Sequence, residues 1–311
     1  MSILWAFPGQ GAQQTGMLRA LPGDKVVQEC MAQASSALGE DVLLLDSAEA
    51  LQSTRAVQLC LLIAGVASAR LLQAQGCMPD YVSGLSIGAY PAAVVARSLA
   101  FEDAVRLVAL RGELMQNAYP QGFGMTAILG LDLTRVEALI AAVHRPETPV
   151  YLANINADSQ MVIAGSLEAM AEVGRQAKAE GAAACKRLAV SVPSHCELLQ
   201  APASKLADAF ANVTVDAPSI RYLSGSTARP LFKPDQVRDD LAFNMCRVVD
   251  WRSTVQTAYE RGVRLHIEFP PGAVLTGLAR KVFDQGTVAA FQGARLDSLV
   301  ALSREEGARN P

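Results

Sequence analysis

A serine flanked by glycines, Gly84-Leu85-Ser86-Ile87-Gly88, lies between an apolar segment and a segment whose helical periodicity resumes at Ala92. The residues before it, 81–83, are typical of a short buried strand. Glycines at this spacing allow a turn that other residues adopt only with strain. We therefore predict a strand, a sharp turn and a helix, and an α/β fold.

The other periodic segments predict a large α/β body with a smaller unit inserted into it. Residues 3–7 are typical of a buried strand that ends at a glycine-rich loop, and residues 54–75 of a buried helix. Between residues 123 and 190 the predicted order is strand, helix, two strands, helix, strand, which is that of a ferredoxin-like unit. We expect a discontinuous body, residues 1–122 and 191–311, around a subdomain at residues 123–190.

The composition excludes several classes of protein. Hydrophobic residues make up 51% of the 311 residues and charged residues 18%, which excludes a disordered or fibrous chain. The net charge of −3 gives no basic excess for binding a nucleic acid. The apolar run at residues 56–69 is shorter than the ~20 residues that span a bilayer. We therefore expect neither a nucleic acid nor a membrane as a partner, and the run is predicted to be a core helix.

The six cysteines are scattered without a CxxC pair, so the sequence predicts neither a metal site nor a disulfide framework. The N-terminal segment reaches Pro8-Gly9 before an apolar export signal forms. We expect a protein of the reducing cytoplasm.

The glycine-flanked Ser86 is a candidate nucleophile. In a nucleophile elbow, the strained turn raises the serine hydroxyl at the start of a helix, whose backbone N–H groups stabilise an oxyanion. The N–H of Ile87 is the candidate donor here. A glycine-rich turn with a capping serine is the alternative, and the pattern alone leaves both open.

His195 and Arg111 are further candidates for chemistry. His195 lies in an irregular segment, and an imidazole has the pKa needed to deprotonate a serine at neutral pH; a structural histidine is the alternative. Arg111 lies in the apolar stripe of a predicted helix, where its charge costs on the order of several kcal/mol unless an anion faces it. That anion is either an internal carboxylate or a substrate carboxylate, which Arg binds through two hydrogen bonds.

The loop Pro8-Gly9-Gln10-Gly11-Ala12-Gln13 contains part of a dinucleotide-binding fingerprint. Gln14 occupies the third glycine position, and no acidic residue stands out at the spacing that binds a ribose, so we reject nucleotide binding. A glycine loop at a strand end can instead bring a second N–H, that of Gln10, to the oxyanion opposite Ile87.

Five motifs together resemble the malonyl-CoA:acyl-carrier-protein transacylases. They follow the family order over residues 3 to about 282 and are the loop 7–13, the GxSxG at Ser86, residues 110–116, residues 190–196 and residues 271–278. The resemblance implies an α/β-hydrolase-like acyltransferase body with an inserted ferredoxin-like subdomain. It also implies the following roles: Ser86 as nucleophile, His195 as its base, Arg111 as the clamp for the malonyl carboxylate, and the N–H groups of Gln10 and Ile87 as oxyanion donors.

The resemblance implies no bound cofactor, because malonyl-CoA and the phosphopantetheine-type group of a carrier protein are substrates.

The usual elbow of the family is Gly-His-Ser-Leu-Gly-Glu, whereas Leu85 and Ala89 replace its histidine and glutamate here. This pattern resembles the epsilon subunit of biotin-independent malonate decarboxylase, which primes a carrier subunit with malonyl. That carrier subunit, together with other subunits of the decarboxylase, is therefore the partner we expect. The alternatives are a transacylase of fatty-acid synthesis, a serine hydrolase or thioesterase, and a non-catalytic docking subunit.

Two more residues are candidates by their place in the family pattern. Asp250 is predicted to orient His195, through its side chain or, as we favour, through its backbone carbonyl. Asn154 matches a family asparagine near the cleft, and a loop-forming role is the alternative. Residues 221–281 contain ten Lys and Arg against six Asp and Glu, and this local excess of four positive charges is a candidate surface for an acidic carrier.

Overall fold

The computed structural model describes residues 2–119 and 121–308 and contains two β-sheets with helices packed around them. The strands are β1 (Ser2–Phe7), β2 (Tyr81–Gly84), β3 (Phe123–Leu129), β4 (Val150–Ala157), β5 (Gln160–Ser166), β6 (Ala184–Arg187), β7 (Arg221–Leu223), β8 (Pro230–Leu231), β9 (Val249–Asp250), β10 (Val263–Glu268) and β11 (Thr287–Ala290). The helices are α1 (Lys25–Leu38), α2 (Thr54–Ala74), α3 (Ala89–Val95), α4 (Phe101–Ala118), α5 (Leu133–Val143), α6 (Leu167–Ala179), α7 (Gln200–Ala209), α8 (Pro234–Phe243), α9 (Trp251–Glu260), α10 (Val274–Ala279) and α11 (Leu296–Ala308). The predicted α/β class is confirmed.

The larger sheet forms the centre of the body. Its strand order is β11-β10-β1-β2-β7-β8, and all neighbours are parallel except β7 and β8. The adjacent strands β1 and β2 are almost fully buried, as expected of central strands in a parallel sheet. Because they are parallel, the loops that follow Phe7 and Gly84 lie at the same edge of the sheet.

The smaller sheet has the order β6-β3-β5-β4-β9. Its first four strands, with α5 and α6, have the predicted order of a ferredoxin-like unit. Two details differ from the prediction. β6 ends at Arg187 rather than at residue 190, and residues 188–190 follow it along the wall of a cavity. β9 lies outside residues 123–190 and pairs in parallel with β4, so the body contributes a strand to this sheet.

The helix α2 is the central helix of the body. In the described part of the chain it is the one helix that is long and apolar enough to cross a membrane. Most of its 21 residues are buried, and it packs against α1, α3 and α4. It is therefore a core helix, as the apolar run at residues 56–69 predicted.

A glycine brings α4 close to α2. A Cβ atom at Gly112 would overlap the backbone of Arg55 in α2. Next to this contact, Nη1 of Arg111 donates a hydrogen bond to Oε1 of Gln58 at 2.7 Å. Glycine at position 112 thus lets α4 lie close enough to α2 for Arg111 and Gln58 to form this hydrogen bond in the core.

We expect Gly112→Ala to lower the free energy of unfolding by about 1–3 kcal/mol, because the added methyl group forces α4 away from α2. Gly277→Ala is the matched control. Gly277 is also helical, and a Cβ atom there would have no heavy atom within 4 Å. Alanine in a helix stabilises by about 0.5–1 kcal/mol relative to glycine, so the control is expected to lose no stability. Denaturant unfolding measures both variants, and an unchanged Gly112→Ala protein would contradict the prediction.

Candidate active site

Ser86 lies at a strained turn between β2 and α3. Its φ is 57°, in the left-handed region that residues with side chains rarely adopt. A Cβ atom at Gly84 would overlap the backbone of Gly88, and one at Gly88 would overlap the carbonyl of Phe7. Glycine is thus required on both sides of Ser86, and the turn has the geometry of a nucleophile elbow.

His195 is buried, and its φ of 65° is also left-handed. Its Nδ1 lies 2.8 Å from the backbone oxygen of Asn244. Because a carbonyl oxygen only accepts hydrogen bonds, Nδ1 carries the proton, and Nε2 keeps the lone pair that a general base needs. The backbone N–H of His195 donates to the backbone oxygen of Met245 at 2.7 Å. Residues 244 and 245 therefore hold both the ring and the backbone of His195.

The structure corrects the prediction that Asp250 orients His195. The Asp250 side chain accepts a hydrogen bond from the N–H of Ser253, and its backbone oxygen accepts one from Oγ1 of Thr254. Asp250 therefore caps the N-terminus of α9. The backbone oxygen of Asn244, not that of Asp250, accepts the hydrogen bond from the His195 ring. Asn244 begins a 3₁₀ turn after α8, which the periodicity of the sequence does not reveal.

Arg111 is fully buried, and its hydrogen-bond partners are all neutral. Nη1 donates to Gln58, and Nη2 donates to Oδ1 of Asn244 at 3.0 Å and to Oγ of Ser86 at 3.3 Å. Among residues 2–119 and 121–308, no carboxylate forms an ion pair with it, and its Nε has no acceptor. This excludes an internal ion pair with the described residues. Burial lowers the pKa of Arg111 to about 10, so the guanidinium remains charged at neutral pH.

Gln58 and Asn244 complete the site, and neither was identified from the sequence. Asn244 connects three groups, because it contacts Arg111 and His195 and its Nδ2 donates to the backbone oxygen of Ser86 at 3.4 Å. Gln58 is a fully buried amide within an apolar helix, and this is the signal that would have indicated it. Asn244 has no such signal, because it lies outside any periodic segment.

The two candidate oxyanion donors belong to segments in direct contact. A Cβ atom at Gly9 would lie 2.9 Å from the oxygen of Leu85, so the loop after β1 packs closely against the elbow. The N–H of Gln10 has no acceptor in the described part of the chain. Ile87 lies in the first turn of a 3₁₀ helix, Ser86–Gly88, where N–H groups have no acceptor in a preceding turn. The role of both N–H groups as oxyanion donors stays a prediction.

Ser86, His195 and Gln10 line a cavity of about 430 Å³ between the two sheets. Asn154 of β4 lines its opposite wall, is buried, and has an Oδ1 atom without a donor among the described residues. Its role in substrate binding stays a prediction. No group of three or more His, Cys, Asp or Glu side chains in residues 2–119 and 121–308 is arranged to hold a metal ion.

Ser86 Oγ and the His195 ring share this cavity, but no hydrogen bond joins them in the described structure. A bond between a nucleophile and its base can tighten when substrate binds. Burial and, to a lesser extent, the positive charge of Arg111 lower the pKa of His195 to about 4, from its usual 6.5. The imidazole is therefore neutral at physiological pH and able to accept a proton.

We expect the rate of Ser86 acylation to be independent of pH between about 8 and 5.5. The rate should fall at lower pH, because His195 is then protonated. Arg111→Met removes one cause of the lowered pKa and should move the acid limb to higher pH. Acetyl-CoA, whose acyl group has no carboxylate, allows both proteins to be compared, and quenched mass spectrometry of the acyl adduct gives kcat/KM at each pH. A wild-type half-maximum near pH 6.5 would contradict the expected shift.

Comparison with known proteins identifies the family. The model of the acyl transferase domain matches residues 4–309. The malonyl CoA-acyl carrier protein transacylase of Escherichia coli (strain K12) is 40% identical over 295 residues, which cover 92% of this chain and 94% of that protein. The transacylase of Bacillus subtilis (strain 168) is 32% identical over 285 residues, which cover 90% of each.

Solved structures agree with this result. The malonyl CoA-acyl carrier protein transacylase of Coxiella burnetii has a TM-score of 0.91 and 35% identity, and the match covers 99% of this chain and 98% of that chain. A malonyl-transacylase in complex with a type II PKS acyl-carrier protein has a TM-score of 0.91 and 36% identity, over 98% of this chain and 100% of that chain. The resemblance in the motifs is confirmed, and the chain belongs to the malonyl-CoA:acyl-carrier-protein transacylase family.

Proposed function

We propose that this protein transfers a malonyl group from malonyl-CoA to the thiol of a carrier protein through an ester on Ser86. The observation that carries the proposal is the charge of Arg111, which is buried beside Ser86 Oγ and has only neutral partners within residues 2–119 and 121–308. The free carboxylate of a malonyl group supplies the anion that the described residues do not provide. A guanidinium binds such a carboxylate through two hydrogen bonds.

Each proposed step uses a group of the site. Nε2 of His195 accepts the proton of Ser86 Oγ as this oxygen attacks the thioester carbonyl. The N–H groups of Gln10 and Ile87 stabilise the oxyanion of the tetrahedral intermediate. The C–S bond then breaks, the proton on Nε2 moves to the CoA sulfur, and malonyl remains on Ser86. The carrier thiol enters, and the same steps in reverse transfer malonyl to its sulfur.

Two carriers are candidates for the second half of the reaction. The names of the Escherichia coli and Bacillus subtilis relatives include an acyl carrier protein, and one solved relative is in complex with a type II PKS acyl-carrier protein. These findings support an acyl carrier protein better than the malonate decarboxylase carrier that we expected from the sequence. Leu85, in the cavity wall, and Ala89 are the residues that support the decarboxylase carrier. We therefore propose an acyl carrier protein as the acceptor, with the decarboxylase carrier as the second candidate.

We expect the protein to form a malonyl ester on Ser86 and to pass it to a carrier, whereas Ser86→Ala forms neither product. Mass spectrometry follows the reaction of malonyl-CoA with an acyl carrier protein and, separately, with a malonate decarboxylase carrier subunit, each carrying its prosthetic group. Faster transfer to the decarboxylase carrier would reverse our choice of acceptor. Release of malonate to water instead of transfer would indicate a thioesterase, and the absence of an adduct on Ser86 would indicate a docking subunit.

We expect Arg111→Met to lower the preference for malonyl-CoA over acetyl-CoA at least about 100-fold, because each hydrogen bond to a charged group contributes about 1.5–3 kcal/mol. Arg106→Met is the matched control, since Arg106 is on the same helix but is exposed and pairs with Asp103. The ratio of kcat/KM for the two donors is the measurement. A variant that keeps the full preference for malonyl would show that Arg111 is not the clamp.

A further inference from the structure

A buried amide side chain connects Arg111 to the loop after β1. Oε1 of Gln58 accepts a hydrogen bond from Nη1 of Arg111 at 2.7 Å, and Nε2 of Gln58 donates to Oε1 of Gln10 at 3.1 Å. Nε2 also lies 3.3 Å from Sδ of Met115. Because a guanidinium only donates, Arg111 determines the orientation of the amide: its oxygen faces Arg111 and its nitrogen faces Gln10.

The loop backbone is held on either side of Gln10, because Gly9 packs against Leu85 and the N–H of Gly11 donates to Oε1 of Gln13. Gly11 has a φ of 105°, which glycine adopts without strain. In the described part of the chain the Gln10 N–H has no acceptor. Its side chain, in contrast, is bonded to a fully buried residue of α2. The contact with Gln58 is therefore the hydrogen bond that ties Gln10 itself to the buried core beside the cavity.

We propose that Gln58 is a positioning residue that holds the Gln10 N–H in place for the oxyanion, and that it is not a ligand of the malonyl carboxylate. This inference rests on the proposed function. It makes a distinctive prediction about acyl groups, because the oxyanion forms on the thioester carbonyl of every donor. Loss of Gln58 must therefore slow a donor without a free carboxylate as well as malonyl-CoA.

We expect Gln58→Met to reduce the acylation rate constant of Ser86 with acetyl-CoA as well as with malonyl-CoA, and to leave KM for acetyl-CoA within about twofold. The factor should be at least about tenfold, since complete loss of an oxyanion donor costs about 10²–10³. With acetyl-CoA, Gln10→Met, which keeps the backbone N–H, should give a similar loss, and the double variant should be no slower than Gln58→Met, because each variant lacks the bond between Gln58 and Gln10. The matched control is Gln73→Met, an amide of the same helix outside the site.

Gln58→Glu separates the two roles of the side chain. The new carboxylate pairs with Arg111, and the amide of Gln10 can rotate and donate a hydrogen bond to it. We therefore expect acylation by acetyl-CoA to stay within about threefold of the wild-type rate. The preference of the protein for malonyl-CoA over acetyl-CoA should be lost. A wild-type rate for Gln58→Met would overturn the inference, as would a loss confined to malonyl-CoA. Neither result affects the proposed function, which fails only if the wild-type protein does not acquire malonyl on Ser86.

Discussion

The positive charge of Arg111, buried with no acid beside it among the described residues, is the interaction on which the site depends. Removing a cation from water is costly, and the protein reduces the cost with the oxygens of Gln58, Asn244 and Ser86. These dipoles lower the cost without cancelling the charge, so an anion is still attracted. A carboxylate in place of either amide would stabilise the arginine in the free protein and remove this attraction.

The parallel sheet explains why distant residues meet beside this charge. β1 and β2 are neighbours, so the Gln10 loop and the Ser86 turn both begin at their carboxyl ends, the usual place for a site in such sheets. Gly9 and Gly88 permit the backbone contacts that bring the two loops together. The pairing of β1 with β2 therefore places both the candidate nucleophile and one candidate oxyanion donor.

The smaller sheet closes the cavity on the other side. Its strand β4 contributes Asn154 to the wall and pairs with β9, which comes from the body. Asp250 belongs to β9 and caps the helix that follows. Its role is thus to begin α9 next to the smaller sheet, and the imidazole of His195 is held by Asn244 instead.

The sequence by itself determined the local features of this protein. Glycine spacing and apolar periodicity act over a few residues, so the turn at Ser86, the core helix α2 and the strand and helix order of the smaller unit could all be predicted. An irregular segment and an apolar helical stripe singled out His195 and Arg111 in the same way, and their predicted surroundings were correct only in part.

The tertiary structure alone decided which groups these side chains contact. The carbonyl that binds His195 is 49 positions away, and the amides that bind Arg111 are 53 and 133 positions away. Contacts at such separations depend on how helices and loops pack, which no local pattern encodes. For that reason the sequence left open whether Arg111 faces an internal acid, and packing shows that its partners are neutral.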